Sequence, residues 1–216
     1  MSLPVQRPRP IPTENSSRFV TNAFWLSADC VVEIGAVLID RRSECVLLVH
    51  DDARKQYILP RVTRKDFDVL LQAPFQAVGA KVGIPCTALA LPRIEKKTLV
   101  PPDGNWYNAT AMEIYSRTQT TTNPFHLSIG TLWTTDKTGK WPDGYQLITY
   151  WYGGEITALP EQRSAPSQQP GVRLATFDEA LEMLKGKDDP AWSALSQFAV
   201  IWTNAKKLAS GSTDLV

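Results

Sequence analysis

From Asp29 to Ile39 apolar positions follow one another almost without a break, through Val31, Val32, Ile34, Val37, Leu38 and Ile39. A run of that length and β-branched content reads as a strand buried on both faces. The polar turn Asp40-Arg41-Arg42-Ser43 and a second apolar run, Cys45 to His50, make the pair a hairpin. Asp51 to Gln56 is another turn, and Tyr57-Ile58-Leu59 is a short strand stopped by Pro60. The spacing then changes. Leu70, Leu71, Pro74, Val78 and Val82 fall near one helical face within Phe67 to Val82. Pro74 removes a backbone donor, so the helix either begins late, near Ala73, or bends there. Gly83 is placed to end it.

Beyond the helix, Ala88 to Leu91 reads as a strand and Lys96 to Asn105 as a Pro-rich loop, with Thr98 to Asn105 a candidate lid. Asn108 to Thr118 and Leu127 to Trp133 read as strands. Tyr145 to Ile156, dense in Ile, Thr, Tyr and Trp, is the strongest late strand. Pro160 to Pro170 is rich in Pro, Ser and Gln. Thr176-Phe177-Asp178-Glu179 spells a capping box that opens a helix through Leu184. Asp189-Pro190 starts a second helix to about Lys206, with Leu195, Phe198, Ile201 and Trp202 as its apolar face. Strands, a helix, more strands and closing helices predict an α/β sandwich around a mixed sheet. We expect an arm over residues 1–20, a single domain over 21–206 and a tail over 207–216.

Composition narrows the function classes. Of 216 residues, 43% are hydrophobic, enough for one core. The 23 basic and 22 acidic side chains nearly cancel, leaving no footprint for nucleic acid or an anionic membrane. No apolar run reaches membrane-span length, and the Pro/Arg-containing start lacks the apolar core of a secretory signal. Cys30, Cys45 and Cys86 lack disulfide or zinc spacing, which points to a reducing, cytoplasmic compartment. With two histidines, His50 and His126, a histidine-rich metal centre is excluded.

Gly35-Ala36-Val37-Leu38-Ile39, then Val46-Leu47-Leu48-Val49, then Tyr57-Ile58-Leu59-Pro60-Arg61 resembles the opening of Nudix domains. The helix start at Thr176 is similar to the same family, its fungal members especially, and the resemblance spans about Asp29 to Asn204. It implies a Nudix-like α/β/α sandwich. The family signature, Gly-x5-Glu-x7-Arg-Glu-U-x-Glu-Glu-x-Gly-U with U aliphatic, aligns without a gap from Val62 to Ile84. Val62 stands at its first glycine and Asp68 at its first glutamate. Gln76-Ala77 stands at Arg-Glu and Ala80-Lys81 at Glu-Glu, whereas Val78, Gly83 and Ile84 match. No glutamate lies between Glu44 and Glu95, so no shift of register restores the acidic pair.

In the family those glutamates hold hard divalent cations, which need several oxygen ligands. Alanines supply none, and Lys81 brings a positive charge. At about 4 Å and an effective dielectric of about 20, each like-charge contact costs about 4 kcal/mol. We therefore expect no metal and no cofactor. The leading expectation is a metal-independent enzyme performing acid/base chemistry on a small organic molecule: cyclisation, isomerisation, elimination or hydration. A non-catalytic module that binds a ligand or a protein is the first alternative. A hydrolase with relocated carboxylates, from Asp66, Asp68, Glu95 and Glu113, is the second.

The candidate catalytic groups are Glu33, Asp68 and His50; each also has a plain structural reading. Glu33 in an apolar strand is a paired carboxylate or a pocket acid. Asp68 is a helix cap or a general base. His50 is a strand-end histidine or a proton carrier. Candidate ligand contacts are Arg61, Lys81, Trp25, Trp151 and Tyr152. Trp106 and Trp133 are further possible walls of an aromatic pocket, against the reading that these rings fill the core. Tyr150-Trp151-Tyr152 alternates faces, so only some of them see one pocket.

Overall fold

The structure is a computed structural model that describes residues 30–64, 73–99, 110–135, 142–158 and 171–210. Its frame is an eight-stranded mixed sheet. The apolar run forms β1 (Cys30–Asp40), the centre of that sheet. Along one edge β1 pairs in parallel with β9 (Pro142–Ile156), from Cys30↔Gln146 to Ile39↔Glu155. Along its other edge lie, in tandem, β4 (Arg61–Arg64) and β2 (Cys45–Asp51), both antiparallel. The far edge of β9 carries β8 (His126–Thr135) and β5 (Cys86–Ala88). β2 also pairs with β3 (Gln56–Ile58) and with β10 (Val172–Ala175). β6 (Leu91–Leu99) and β7 (Thr110–Thr121) form a separate two-stranded ribbon.

The period of two along β1 divides the core. Ile34, Ala36 and Leu38 join Leu47, Val62, Val78, Ile84 and Tyr152 on one face, beneath α1 (Pro74–Val82). Val37 and Ile39 join Trp151, Leu184, Leu195, Phe198 and Ile201 on the other, beneath α2 (Phe177–Leu184) and α3 (Asp189–Ala209). The domain is thus an α/β/α sandwich around a mixed sheet.

α1 begins at Pro74 with Ala73 as its cap residue, the late start that a missing amide proton favours. It ends at Gly83, whose φ of 70° is left-handed and suits a residue without Cβ. The expected box at α2 is complete: Glu179 N–H donates to Thr176 Oγ1 at 3.3 Å, and Thr176 N–H donates to Glu179 Oε2 at 3.0 Å. Thr176→Ala is expected to lower stability by about 1 kcal/mol, seen as a lower urea midpoint at unchanged slope; an unmoved midpoint would show that the box is idle.

Three expectations are corrected. Lys96 to Leu99 belong to β6 rather than to a loop, because β7 supplies hydrogen-bonding partners from Thr110 onwards. The final helix runs to Ala209, one turn beyond Lys206, and its cap residue is Asp188 rather than Asp189. β10 was not expected: four residues are too few to show a period. The rest of the candidate lid, residues 100–105, lies outside the described residues, as do residues 160–170, the expected arm over 1–20 and residues 211–216 of the expected 207–216 tail, whose start continues the final helix to Ala209.

Candidate functional site

Two rungs of the sheet build a polar centre on the face beneath α3. In the first, Glu33 stands between Thr63 of β4 and Thr149 of β9. Thr63 Oγ1 donates to one carboxylate oxygen and Thr149 Oγ1 to the other, each at 3.1 Å. In the second, two residues along, Gly35 stands between Arg61 and Trp151. Because Gly35 has no side chain, the indole of Trp151 lies against its backbone. The ring is fully buried, and its Nε1 donates to Ser128 Oγ at 2.9 Å. The Arg61 guanidinium lies 5.2 Å from the ring centroid, a cation–π arrangement.

Charges continue outward from these rungs. Arg61 Nη1 is 3.8 Å from Glu33 Oε2, and Nη2 is ion-paired with Asp188 Oδ2 at the start of α3. Arg54 Nη1 approaches the same Asp188 oxygen at 3.8 Å, and its Nε is 3.6 Å from Asp51 Oδ2. Glu33, Arg61 and Asp188 are 8%, 6% and 5% exposed, so the inner part of this chain is desolvated. Burial pulls the Arg61 guanidinium below its usual range, and the Glu33 charge opposes that pull. Among the described residues Arg61 Nε has no acceptor. Three carboxylates against two guanidiniums leave the cluster negative overall. It therefore favours neutral or cationic groups over a phosphate, and the two Nη atoms of Arg61 are already committed to carboxylates.

The other sequence-derived candidates lie apart. His50 Nδ1 is 2.8 Å from Asp52 Oδ1, its ring meets Tyr57 edge-on at 5.3 Å, and its N–H donates to the Gly171 carbonyl at 2.6 Å. None of these partners is shared with Glu33. Tyr152 is on the opposite face of the sheet from Trp151, packed edge-on against Phe75 at 6.0 Å. Burial pushes its phenol pKa up, with Tyr150 adding to the effect. The Lys81 ammonium donates to the main-chain carbonyl of Arg61 at 2.6 Å, joining the end of α1 to the start of β4. Glu95 and Glu113 belong to the ribbon, where they occupy successive rungs opposite Ile114 and Lys96. Asp68, Asp66, Trp25 and Trp106 lie outside the described residues, as does the side chain of Trp133. Among the described residues, no three His, Cys, Asp or Glu side chains converge as metal ligands.

Thr63, Thr149, Ser128, Arg54 and Asp188 were not singled out in the sequence. A signal existed for Thr149, which shares the period-two face of Trp151. None existed for Asp188, whose partner Arg61 is 127 positions away.

No family model and no curated relative matches the sequence. Among solved structures the chain is similar to a Nudix hydrolase from Nitrosomonas europaea, at 12% identity over 79% of this chain and 89% of that one, TM-score 0.42. It is similar to an Ap4A hydrolase from C. elegans, at 11% identity over 80% and 98%, TM-score 0.41. It is also similar to the ORF135 protein of E. coli, at 11% identity over 84% and 97%, TM-score 0.42. Among the described residues no helix is long and apolar enough to cross a membrane.

Proposed function

We propose that this chain is a Nudix-like domain that works without magnesium, as a binding module for a small organic molecule rather than as a diphosphate hydrolase. The supporting observation is the Lys81 ammonium on the Arg61 carbonyl, 2.6 Å away. The resemblance aligns Lys81 with a metal-binding glutamate. Here the side chain brings its own positive charge and spends it tying the two ends of the aligned segment together. Ala77 and Ala80 supply no oxygen, so these positions do not fit a hard cation. A second cation beside the ammonium meets like-charge repulsion. The three cysteines are unpaired, which suits a reducing, cytoplasmic setting.

Binding is favoured over catalysis because the two acid/base candidates among the described residues, Glu33 and His50, are separated and occupied. Glu33 is held by two hydroxyls and faced by Arg61; His50 is turned to Asp52. The second reading, a metal-independent acid/base enzyme, draws support from the rigid and nearly buried Glu33 carboxylate, a setting suited to proton transfer. In that reading Glu33→Gln abolishes turnover of a bound ligand without weakening its binding; in the module reading there is no turnover to lose.

Calorimetric titration with magnesium or manganese, with and without a non-hydrolysable nucleoside diphosphate analogue, is expected to show no saturable heat. Stoichiometric binding in the micromolar range would mean that other carboxylates, Asp66, Asp68, Glu95 or Glu113, have taken over, and would restore the hydrolase reading.

A further inference from the structure

We infer that a cleft beside the β6–β7 ribbon is the binding site for a small organic anion, one carboxylate on an apolar ring body. The inference rests on the binding-module reading and names the ligand class. The cleft measures about 850 Å³ and lies outside the Glu33–Arg61 centre. Its floor is apolar. Leu91, 3% exposed, lies against Gly153, and Phe125 packs on Phe198 with centroids 5.5 Å apart. Both segments that supply it are pinned to β9: Leu89 N–H, two residues before Leu91, donates to the Gly153 carbonyl at 3.0 Å, and Phe125 N–H donates to the Trp151 carbonyl at 2.9 Å. The floor is therefore fixed to the main core.

The walls are polar and arise from a break in the ladder. Pro92 pairs with Thr120, yet Ile94 pairs with Tyr115, so four residues of β7, from Ser116 to Gln119, stand opposite Arg93 alone. Such bulges re-aim side chains and occur often beside binding sites. This one is held by Gln119 N–H donating to Ser116 Oγ at 3.1 Å, and by Arg93 Nη1 donating to Gln119 Oε1 at 3.2 Å. The second contact orients the guanidinium fork. Arg93 is the only ionisable side chain among the lining residues. The hydroxyls of Thr118, Thr120 and Thr121 and the amides of Gln119 and Asn123 complete the wall. One forked cation, no carboxylate and an apolar floor match a carboxylate carried on a hydrophobic ring. The contrast with the Glu33–Arg61–Asp188 cluster is one of sign: there carboxylates surround each guanidinium, and here, among the described residues, none does.

The test is an amide-resolved NMR titration of the full chain with 2-naphthoate and with its neutral counterpart 2-naphthamide. Naphthoate is expected to shift residues 91–94 and 118–125 and to bind about tenfold more tightly than the amide. Arg93→Gln is expected to abolish that preference while naphthamide binding persists; the neighbouring Arg117→Gln keeps it. Equal affinities in the unaltered protein, a preference that survives Arg93→Gln, or no shift in the cleft at millimolar naphthoate would overturn the inference. The two readings fail separately. Magnesium-dependent release of phosphate with intact naphthoate binding overturns the module reading and leaves the cleft standing. Absence of hydrolysis together with absence of naphthoate binding does the reverse.

Discussion

Asp188→Ala is expected to destabilise the domain by about 3–5 kcal/mol, because it breaks a buried ion pair from one side. Asp188 is 5% exposed, and its partner Arg61 is 6% exposed and already has an Nε without an acceptor among the described residues. Deleting the Asp188 carboxylate leaves the buried guanidinium with Glu33, 3.8 Å away, as its remaining close carboxylate among the described residues. The same side chain caps α3, accepting from Ala191 N–H at 3.4 Å, which adds about 1 kcal/mol. Asp188→Asn separates the two roles, keeping a cap while removing the charge. Joint replacement, Arg61→Met with Asp188→Leu, is expected to be milder than either single change, since a buried pair stabilises little relative to apolar side chains of like volume. Urea unfolding of the unaltered protein, Arg61→Met, Asp188→Leu and the joint variant reads the cycle. A loss below about 1 kcal/mol for Asp188→Ala would show a pair behaving as though at the surface.

Gly35→Ala is the second large effect, at about 3 kcal/mol or more. A Cβ there would lie 2.4 Å from Cε3 of Trp151. Neither side can give way easily. The indole is fixed by Ser128 and covered by Arg61, and the Gly35 backbone sits between β4 and β9 in the middle of the sheet. Placing Trp151→Leu in the Gly35→Ala background is expected to recover part of the loss, although Trp151→Leu alone destabilises by leaving a cavity. The thermal midpoints of the three variants give the answer. A cost for Gly35→Ala within about 0.5 kcal/mol would contradict the close packing of ring on strand.

Much of the frame was legible because it is written in local periods. β1, β2 and β9 are marked by apolar and β-branched density, α1 by Pro74 and Gly83, and α2 by the Thr176–Glu179 box. What stayed hidden depends on partners distant in sequence. Lys96 to Leu99 look like a polar loop and become a strand only because β7 pairs with them. Val172 to Ala175 is too short to carry a pattern and gains its form from β2. The same division holds for the polar centre. Glu33 was conspicuous as a charge in an apolar strand and Arg61 by its place at the end of the family-like Tyr57–Arg61 segment, and Trp151 and Tyr152 were expected to part to opposite faces, as they do. That Glu33 meets two threonines, and Arg61 an aspartate at a helix start, follows from strand register and from the docking of α3, which no local window contains. For Asp68 and Trp25 the structure gives no placement, and their roles stand as expectations from the sequence.

The parallel pairing of β1 with β9 also sets a schedule for the molecule's birth. β1 leaves the ribosome well before its longest neighbour, which lies far downstream: Glu33 and Thr149 are 116 positions apart. A nascent chain therefore carries a largely apolar strand, open along one edge, until most of the domain has been synthesised. Contacts of such long range close slowly, and exposed strand edges invite association with other chains. Yield in the cell is thereby tied to the pace of translation and to the chaperones that shield β1 during the wait.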